Sequence, residues 1–396
     1  VIGGDPGHVP SELTLDNWQS AAHLHWTFQH IADFLPTAII SRGTGPSARM
    51  PAAAATGLSD IAFFDTTTGH SRTVGDVISS TETDGWIVAQ HGAVLGEEYH
   101  LGMTADTSHL LMSVSKSLIA AVAGVLAGNG SLDVDAELSW YVPALAHSGY
   151  AGATVRHVLD MRSGIKFSED YLDPLAEVRL IEQAIDWAPR TVADLPYTMY
   201  DFLLTLRQAT PHGGPFLYRS CETDVLGWVC EAAAGVRMPE LMSELLWARI
   251  GAQNDAVIGI DSAGTGMFDG GINACLRDLV RFGSLFLTGG ASLTGVQVVP
   301  AAWIVDTFTG ESHSRQAFAA SPGDNRMPGG MYRNQCWFPY DGDNVMLCLG
   351  IHGQMIYVNR AADMVAAKLS SWPVPQDSTK LLPTVAAFDA IAANLM

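Results

Sequence analysis

The sequence predicts an α/β lobe interrupted by a mostly helical one. Three observations carry that prediction. Residues 85–90 and 93–99 are apolar-rich runs flanking His91-Gly92, the pattern of a β-hairpin. Residues 345–351, 354–358 and 364–370 read as consecutive strands joined by turns, one of them Asn359-Arg360-Ala361-Ala362-Asp363. Residues 164–271 instead show helical periodicity, long loops and scarce strand signals. The expected division is an α/β lobe from 1–163 and 272–396, with a helical lobe from 164–271. A chain of 396 residues is long enough for two lobes at roughly 150 residues each.

Taken in order, residues 1–15 are rich in Gly and Pro and read as surface coil. Between 14 and 35, Leu15, Trp18, Ala22, Trp26, Ile31 and Phe34 recur mostly every three to five residues. That spacing predicts an amphipathic helix, ended by Pro36. Residues 41–57 read as a loop. After the hairpin, the unbroken apolar run 118–127 predicts a buried helix, stopped by Gly128-Asn129-Gly130. Short helical pieces follow at 133–141 and 154–161, then longer ones at 198–206 and 222–234 within the helical lobe. Helices are also expected at 274–287 and 301–308, and a last one at 380–395.

Apolar residues make up 48% of the chain and charged residues only 16%, so a large core is available and disorder is not expected. Asp and Glu number 41 against 21 Lys and Arg, a net charge of −20. Such a surface repels nucleic acid and anionic membranes, so neither is an expected partner. No apolar stretch reaches the roughly 20 residues of a membrane helix. The first residues, Val1-Ile2-Gly3-Gly4-Asp5-Pro6-Gly7, lack a basic segment and an apolar core, so they do not read as a signal peptide. Val1 in place of Met leaves room for an earlier, removed segment. The five cysteines, Cys221, Cys230, Cys275, Cys336 and Cys348, are odd in number and show no CxxC spacing. Neither a disulfide framework nor a zinc site is expected, and a reducing cytoplasm fits.

Three stretches carry chemistry. Ser113 lies three residues before Lys116 at the mouth of the buried helix, so the two share one helix face. A neutral lysine there can take the serine proton and make the serine a nucleophile. Peptide N–H groups at the helix start disfavour a further positive charge, so Lys116 is expected to be deprotonated, and they favour an oxyanion. The same pair would equally serve as a helix cap beside a solvated surface lysine. Downstream, Tyr218 precedes Ser220 in a loop just before a helix; the phenol can protonate a leaving group and the Ser220 hydroxyl can relay protons. Packing and capping would also explain them. Third, Leu349-Gly350-Ile351-His352-Gly353-Gln354 combines a strand edge with glycines that permit close backbone approach.

Together, S-x-x-K, Y-x-S and the glycine-bearing strand, in that order, resemble the signature of penicillin-recognising serine hydrolases: class C β-lactamases, DD-peptidases and family VIII esterases. Within that group the chain most resembles the 6-aminohexanoate-dimer hydrolases, the nylon-oligomer amidases. The likeness extends through 110–118, 169–174, 223–226, 350–354 and 368–373. It implies a β-lactamase-like fold, an antiparallel sheet flanked by helices with an inserted helical region. It implies Ser113 as nucleophile, Lys116 as base, Tyr218 as proton donor to the leaving amine, and the backbone N–H groups of Ser113 and Ile351 as oxyanion donors. Tyr171 matches a tyrosine on the loop that closes over the amide. Glu182 and Asp269 fall where that branch lines its cleft with polar or acidic residues, and either would pair with a substrate ammonium. Ser220 and His352 complete the candidate substrate contacts. His352 stands near the place of the usual third-motif lysine, which it replaces poorly as a cation; it reads equally as a structural strand histidine.

The expected activity is a serine hydrolase acting on short linear amides and carboxyl esters through an acyl-enzyme. A small-molecule amide or ester is the expected partner, with no metal and no cofactor, and a homodimer as the expected assembly. A family VIII carboxylesterase without useful amidase activity, a β-lactamase or DD-peptidase, and a non-catalytic penicillin-binding-like module remain as alternatives.

Overall fold

A computed structural model describes residues 10–53, 57–321 and 326–396. Most of the expected N-terminal coil, residues 1–9, and residues 54–56 of the expected loop lie outside it. The strands in chain order are β1 (Thr37–Ile40), β2 (Ala62–Asp65), β3 (His70–Thr73), β4 (Thr83–Gln90), β5 (Ala93–Tyr99), β6 (Ser108–Leu110), β7 (Ala256–Gly259), β8 (Ile272–Cys275), β9 (Met331–Arg333), β10 (Cys336–Phe338), β11 (Val345–Gly350), β12 (Gln354–Asn359) and β13 (Met364–Ser370). Seven of them form one sheet in the order β5-β4-β13-β12-β11-β10-β9, antiparallel at every pairing. The order follows from the sequence. Consecutive strands pair through tight turns, and the C-terminal strand β13 closes against the N-terminal hairpin.

The central strands are covered on both faces, so they read as near-continuous apolar runs rather than alternating ones. The alternation survives in which face each residue serves. Trp86, Val88, Tyr357 and Ala366 point into a core shared with the helices Val74–Ser80 and Ser378–Leu395. Their neighbours Ile87, Ala89, Ile356, Val358 and Ala367 point into the larger core, with Leu279 and Phe282 of the helix Leu276–Ser284. That larger core holds the helix Val114–Gly128, buried on nearly all sides. Its Gly124 lies so close to the Trp303 ring that a Cβ would come within 2.7 Å of it.

A smaller sheet, in the order β1-β7-β8-β6, lies across the start of that helix. The strands β1 and β7 were absent from the sequence reading. Each has only four residues, and they pair across more than 200 positions, Thr37 with Gly259. The helix expected at 274–287 begins as strand β8 and is helical only over Leu276–Ser284. The piece expected at 133–141 is helical only over Leu138–Tyr141.

The amphipathic helix expected at 14–35 is not one helix. The chain runs through turns with two short helices, Leu24–Thr27 and Ile31–Phe34. Side chains capture the carbonyls that a continuous helix would use. The Thr27 hydroxyl donates to Trp18 O at 2.9 Å, and the His30 imidazole donates from Nδ1 to Trp26 O at 2.7 Å. The burial pattern follows the turns, with Trp18, Leu24, Phe28, Ile31 and Leu35 inside and Leu15 outside.

One buried charge in this framework makes stability depend on pH. Lys368, on the central strand β13, has no exposed surface. Its amine donates to Thr81 O at 3.2 Å and to the Ser370 hydroxyl. Burial pushes its pKa from the ordinary 10.5 down to about 7, against the pull of Asp84 and Glu82. The unfolded chain therefore binds this proton more tightly between those two values. The Lys368 contribution to stability rises with pH across that window and is at its least favourable below it. The melting temperature of wild type, relative to Lys368→Met, is expected to climb steadily from neutral pH to pH 9.5. A pH-independent difference between the two would contradict this reading of the buried amine.

Candidate active site

Strand β6 delivers the chain to the site. Leu111 N–H donates to Ile272 O at 2.9 Å, fixing the approach beside β8. Met112 then adopts a left-handed conformation, φ 45°, costing of order 1 kcal/mol in a residue with a Cβ. That turn lets Ser113 open the helix Val114–Gly128. The Ser113 hydroxyl makes no capping bond to this helix, and Lys116 is only 1% exposed. The cap and the surface lysine are therefore both excluded.

Lys116 Nζ instead donates to three acceptors: Ser113 Oγ at 2.8 Å, Ser220 Oγ at 3.1 Å and the Asp269 carbonyl at 2.7 Å. The Tyr218 ring lies 5.2 Å from the same nitrogen, and its phenol interacts with both Ser113 and Lys116. Burial raises the Tyr218 pKa, so the hydroxyl keeps its proton.

Burial alone would lower the Lys116 pKa. The negative charge of the Asp269 and Glu169 carboxylates outweighs it and holds the amine above its ordinary range. The resting site therefore contains an ammonium, and the expectation that the helix start keeps Lys116 neutral is corrected. These two carboxylates matter more than the partial charge of the helix. A third buried carboxyl group, Asp224, is not ionised: burial, then the neighbouring Asp269, push it well above its usual range.

Glu169, within the resembling segment 169–174 but without an expected role, sits at the centre of the site. Its Oε2 accepts the Ser220 N–H at 2.9 Å, and its Oε1 accepts the Ser220 hydroxyl at 2.5 Å and the Tyr171 hydroxyl at 2.6 Å. Burial raises its pKa, with Lys116 pulling the other way. A continuous chain thus runs from Ser113 through Lys116 and Ser220 to Glu169 and Tyr171.

Opposite Ser113, strand β11 ends at Gly350, so Ile351 falls just beyond the strand, in a short 3-10 turn. A Cβ on Gly350 would sit 2.5 Å from Leu111 O and 3.0 Å from Ser113 N. Only glycine lets the strand end lie against the backbone of the nucleophile. Among the described residues, Ser113 N–H donates to no protein acceptor. Ser113, Glu169, Tyr171, Tyr218, Gly350 and Ile351 all border one cavity of about 260 Å³. The rest of its wall is mainly apolar, including Phe216, Trp337, Met355, Trp372 and Leu381. Trp337 stacks on Tyr218 with ring centroids 5.2 Å apart, fixing the phenol.

Four expected substrate contacts lie elsewhere. Ser220 is buried outside the cavity lining, its hydroxyl held between Lys116 and Glu169. Asp269 sits behind Lys116, its carboxylate 3.9 Å from Nζ, and does not line the cavity. Glu182 is also outside the lining and accepts from Arg179 at 3.0 Å and Gln19 at 3.0 Å. Arg179 in turn donates to Tyr171 O at 2.9 Å and lies over the Tyr171 ring, so the pair braces that loop. His352 is buried beneath the turn, its Nδ1–H donating to Trp372 O at 2.6 Å. Burial lowers its pKa to about 4, so it offers the cavity no cation. Among the described residues, no group of three His, Cys, Asp or Glu converges as a metal site. The five cysteines are buried free thiols, and among the described residues no helix is long and apolar enough to cross a membrane.

The chain is similar in sequence and fold to known proteins. The sequence model of the beta-lactamase family matches residues 63–390. Over 370 residues the chain is 38% identical to the 6-aminohexanoate-dimer hydrolase of Paenarthrobacter ureafaciens, covering 93% of this chain and 91% of that one. A Bacillus anthracis structure provisionally named a 6-aminohexanoate-dimer hydrolase superposes with a TM-score of 0.88 at 25% identity, over 98% of this chain and 99% of that one. A family VIII carboxylesterase shares the fold alone, at 16% identity and a TM-score of 0.59, over 80% of this chain and 96% of that one. The β-lactamase-like fold expected from the sequence is the fold present.

The bracing role of Glu182 is measurable. Glu182→Gln leaves Arg179 without its carboxylate and is expected to lower unfolding stability by about 2 kcal/mol, the buried-pair cost discounted for partial exposure. Urea denaturation reads this directly. A variant as stable as wild type would mean the pair braces nothing.

Proposed function

The chain belongs to the β-lactamase family, and from that premise we propose that it is a serine hydrolase cleaving short linear amides and carboxyl esters through an acyl-enzyme on Ser113. The observation that carries this reading is the 2.8 Å contact between Lys116 Nζ and Ser113 Oγ at the cavity wall. The amide relatives named above support the substrate class.

An ammonium cannot act as a base, so the surplus proton on Lys116 must first move. The Ser220 hydroxyl bridges Lys116 and Glu169 at 3.1 and 2.5 Å. Lys116 passes a proton to Ser220 Oγ while Ser220 passes its own to Glu169 Oε1. The charged pair becomes a neutral amine and a neutral acid. Desolvation, which raises Glu169, favours this exchange.

Neutral Lys116 then takes the Ser113 proton as Oγ bonds to the substrate carbonyl carbon. The N–H groups of Ser113 and Ile351 receive the developing oxyanion. As the C–N bond breaks, Tyr218 gives its proton to the leaving nitrogen and regains one from Lys116. The amine departs, leaving acyl-Ser113 and neutral Lys116. Water then attacks the acyl carbon. Its proton passes through the same groups to Ser113 Oγ, and the enzyme is restored. Every proton is supplied by the chain or by the attacking water. Esters follow the same path with less demand on Tyr218, since an alkoxide leaves more readily than an amide nitrogen. His352, buried and neutral, supplies no cation at the third-motif position.

Ser113→Ala is expected to reduce turnover of a linear ω-amino acid dimer and of p-nitrophenyl butyrate by about a thousandfold or more. Steady-state rates on both substrates check this, and turnover close to wild type would refute the mechanism.

A further inference from the structure

The cavity wall carries one charge for which the hydrolytic scheme has no use. Among the described lining residues Arg326 is the only lysine or arginine, and it is half-buried. Among the described residues, it makes no hydrogen bond, ion pair or ring contact. The two acids in the same wall are differently placed. Glu169 is taken up by Ser220 and Tyr171, and Asp377 accepts from Thr379 N–H at 2.9 Å and its hydroxyl at 2.5 Å. The protein therefore satisfies its cavity anions and leaves its cavity cation open.

The placement of Arg326 is fixed by its neighbour. Met327 is 4% exposed and packs in the cluster that holds Phe216 and Trp337, on the side of the cavity that also bears Tyr218. A guanidinium presents five donors in a planar fork that matches a carboxylate two bonds at a time. In a chain of net charge −20, an unpaired arginine inside an apolar pocket is not a solubility device.

We propose that Arg326 binds a carboxylate of the substrate. This inference rests on the hydrolase reading and narrows it. The contact requires that an apolar chain lying against Phe216, Leu217 and Trp337 separate that carboxylate from the scissile bond.

Calorimetric titration at low salt tests it without requiring turnover. The probes are N-hexanoyl-6-aminohexanoate and its terminal carboxamide, added to Ser113→Ala and to the same chain also carrying Arg326→Gln or Arg326→Lys. The carboxylate is expected to bind Ser113→Ala about tenfold more tightly than the carboxamide, the usual size of a charge-assisted contact. The gap is expected to close with Arg326→Gln and to persist in reduced form with Arg326→Lys. Equal affinities in Ser113→Ala, no binding of either probe, or a gap that survives Arg326→Gln would overturn the proposal. Hydrolysis of the neutral p-nitrophenyl butyrate by wild type and Ser113→Ala reports separately on the hydrolase reading. A carboxylate preference without Ser113-dependent hydrolysis would leave this site standing and remove that reading. Ser113-dependent hydrolysis without the preference would do the reverse.

Discussion

A lysine ammonium removed from water must donate all three of its protons, and the architecture of this protein is arranged around that demand at Lys116. Its acceptors come from three separate places. Ser113 is on its own helix, Ser220 is 104 residues away and Asp269 is 153 residues away. Each acceptor constrains an element. Ser220 starts the helix Cys221–Ala234, which packs along the helix Val114–Gly128. Asp269 lies just before strand β8, whose partner β6 leads into Ser113. Loss of any one contact would leave a buried donor unsatisfied, at a cost of roughly 1–3 kcal/mol or more for a charged group. Folding and assembly of the nucleophile are thus one event.

The carboxyl groups around this ammonium divide the work. Asp224 stays protonated and adds no charge. Asp269 offers its carbonyl to Nζ and its carboxylate from 3.9 Å, setting the charge of the resting site. Glu169 alone is linked to the lysine through a hydroxyl, which makes it a proton acceptor rather than only a counterion. The same carboxylate holds the Tyr171 hydroxyl, and Arg179, braced by Glu182, holds the Tyr171 backbone. The loop that borders the cavity is therefore tied to the protonation state of the site.

Much of this was legible in the sequence, for local reasons. Ser113 and Lys116 are three apart on a helix, so their contact is set by helical geometry. Five of the main sheet's seven strands were readable because they follow one another through short turns; β9 and β10, of three residues each, were not. What escaped depends on distant pairing. Strand β1 has four residues and a partner more than 200 positions away. Glu169 meets Ser220 across 51 residues of loop and helix. The side of a loop to which Arg326 turns is decided by the packing of Met327, not by its neighbours in sequence. The segment 14–35 had the right periodicity, but Thr27 and His30 competed for the backbone carbonyls. The displaced candidates have local causes too. Glu182 had its partner Arg179 three residues away on the same helix, a signal that was present and unused.

The most direct test of the account is the mass of the enzyme caught during turnover. Wild type mixed with p-nitrophenyl butyrate, quenched in acid and mapped by peptide mass, is predicted to carry a single butyryl group on Ser113, and Ser113→Ala none. Turnover with Ser113 unmodified, or with the acyl group on Ser115 or Ser220, would contradict the assignment of the nucleophile and the proton path built on it.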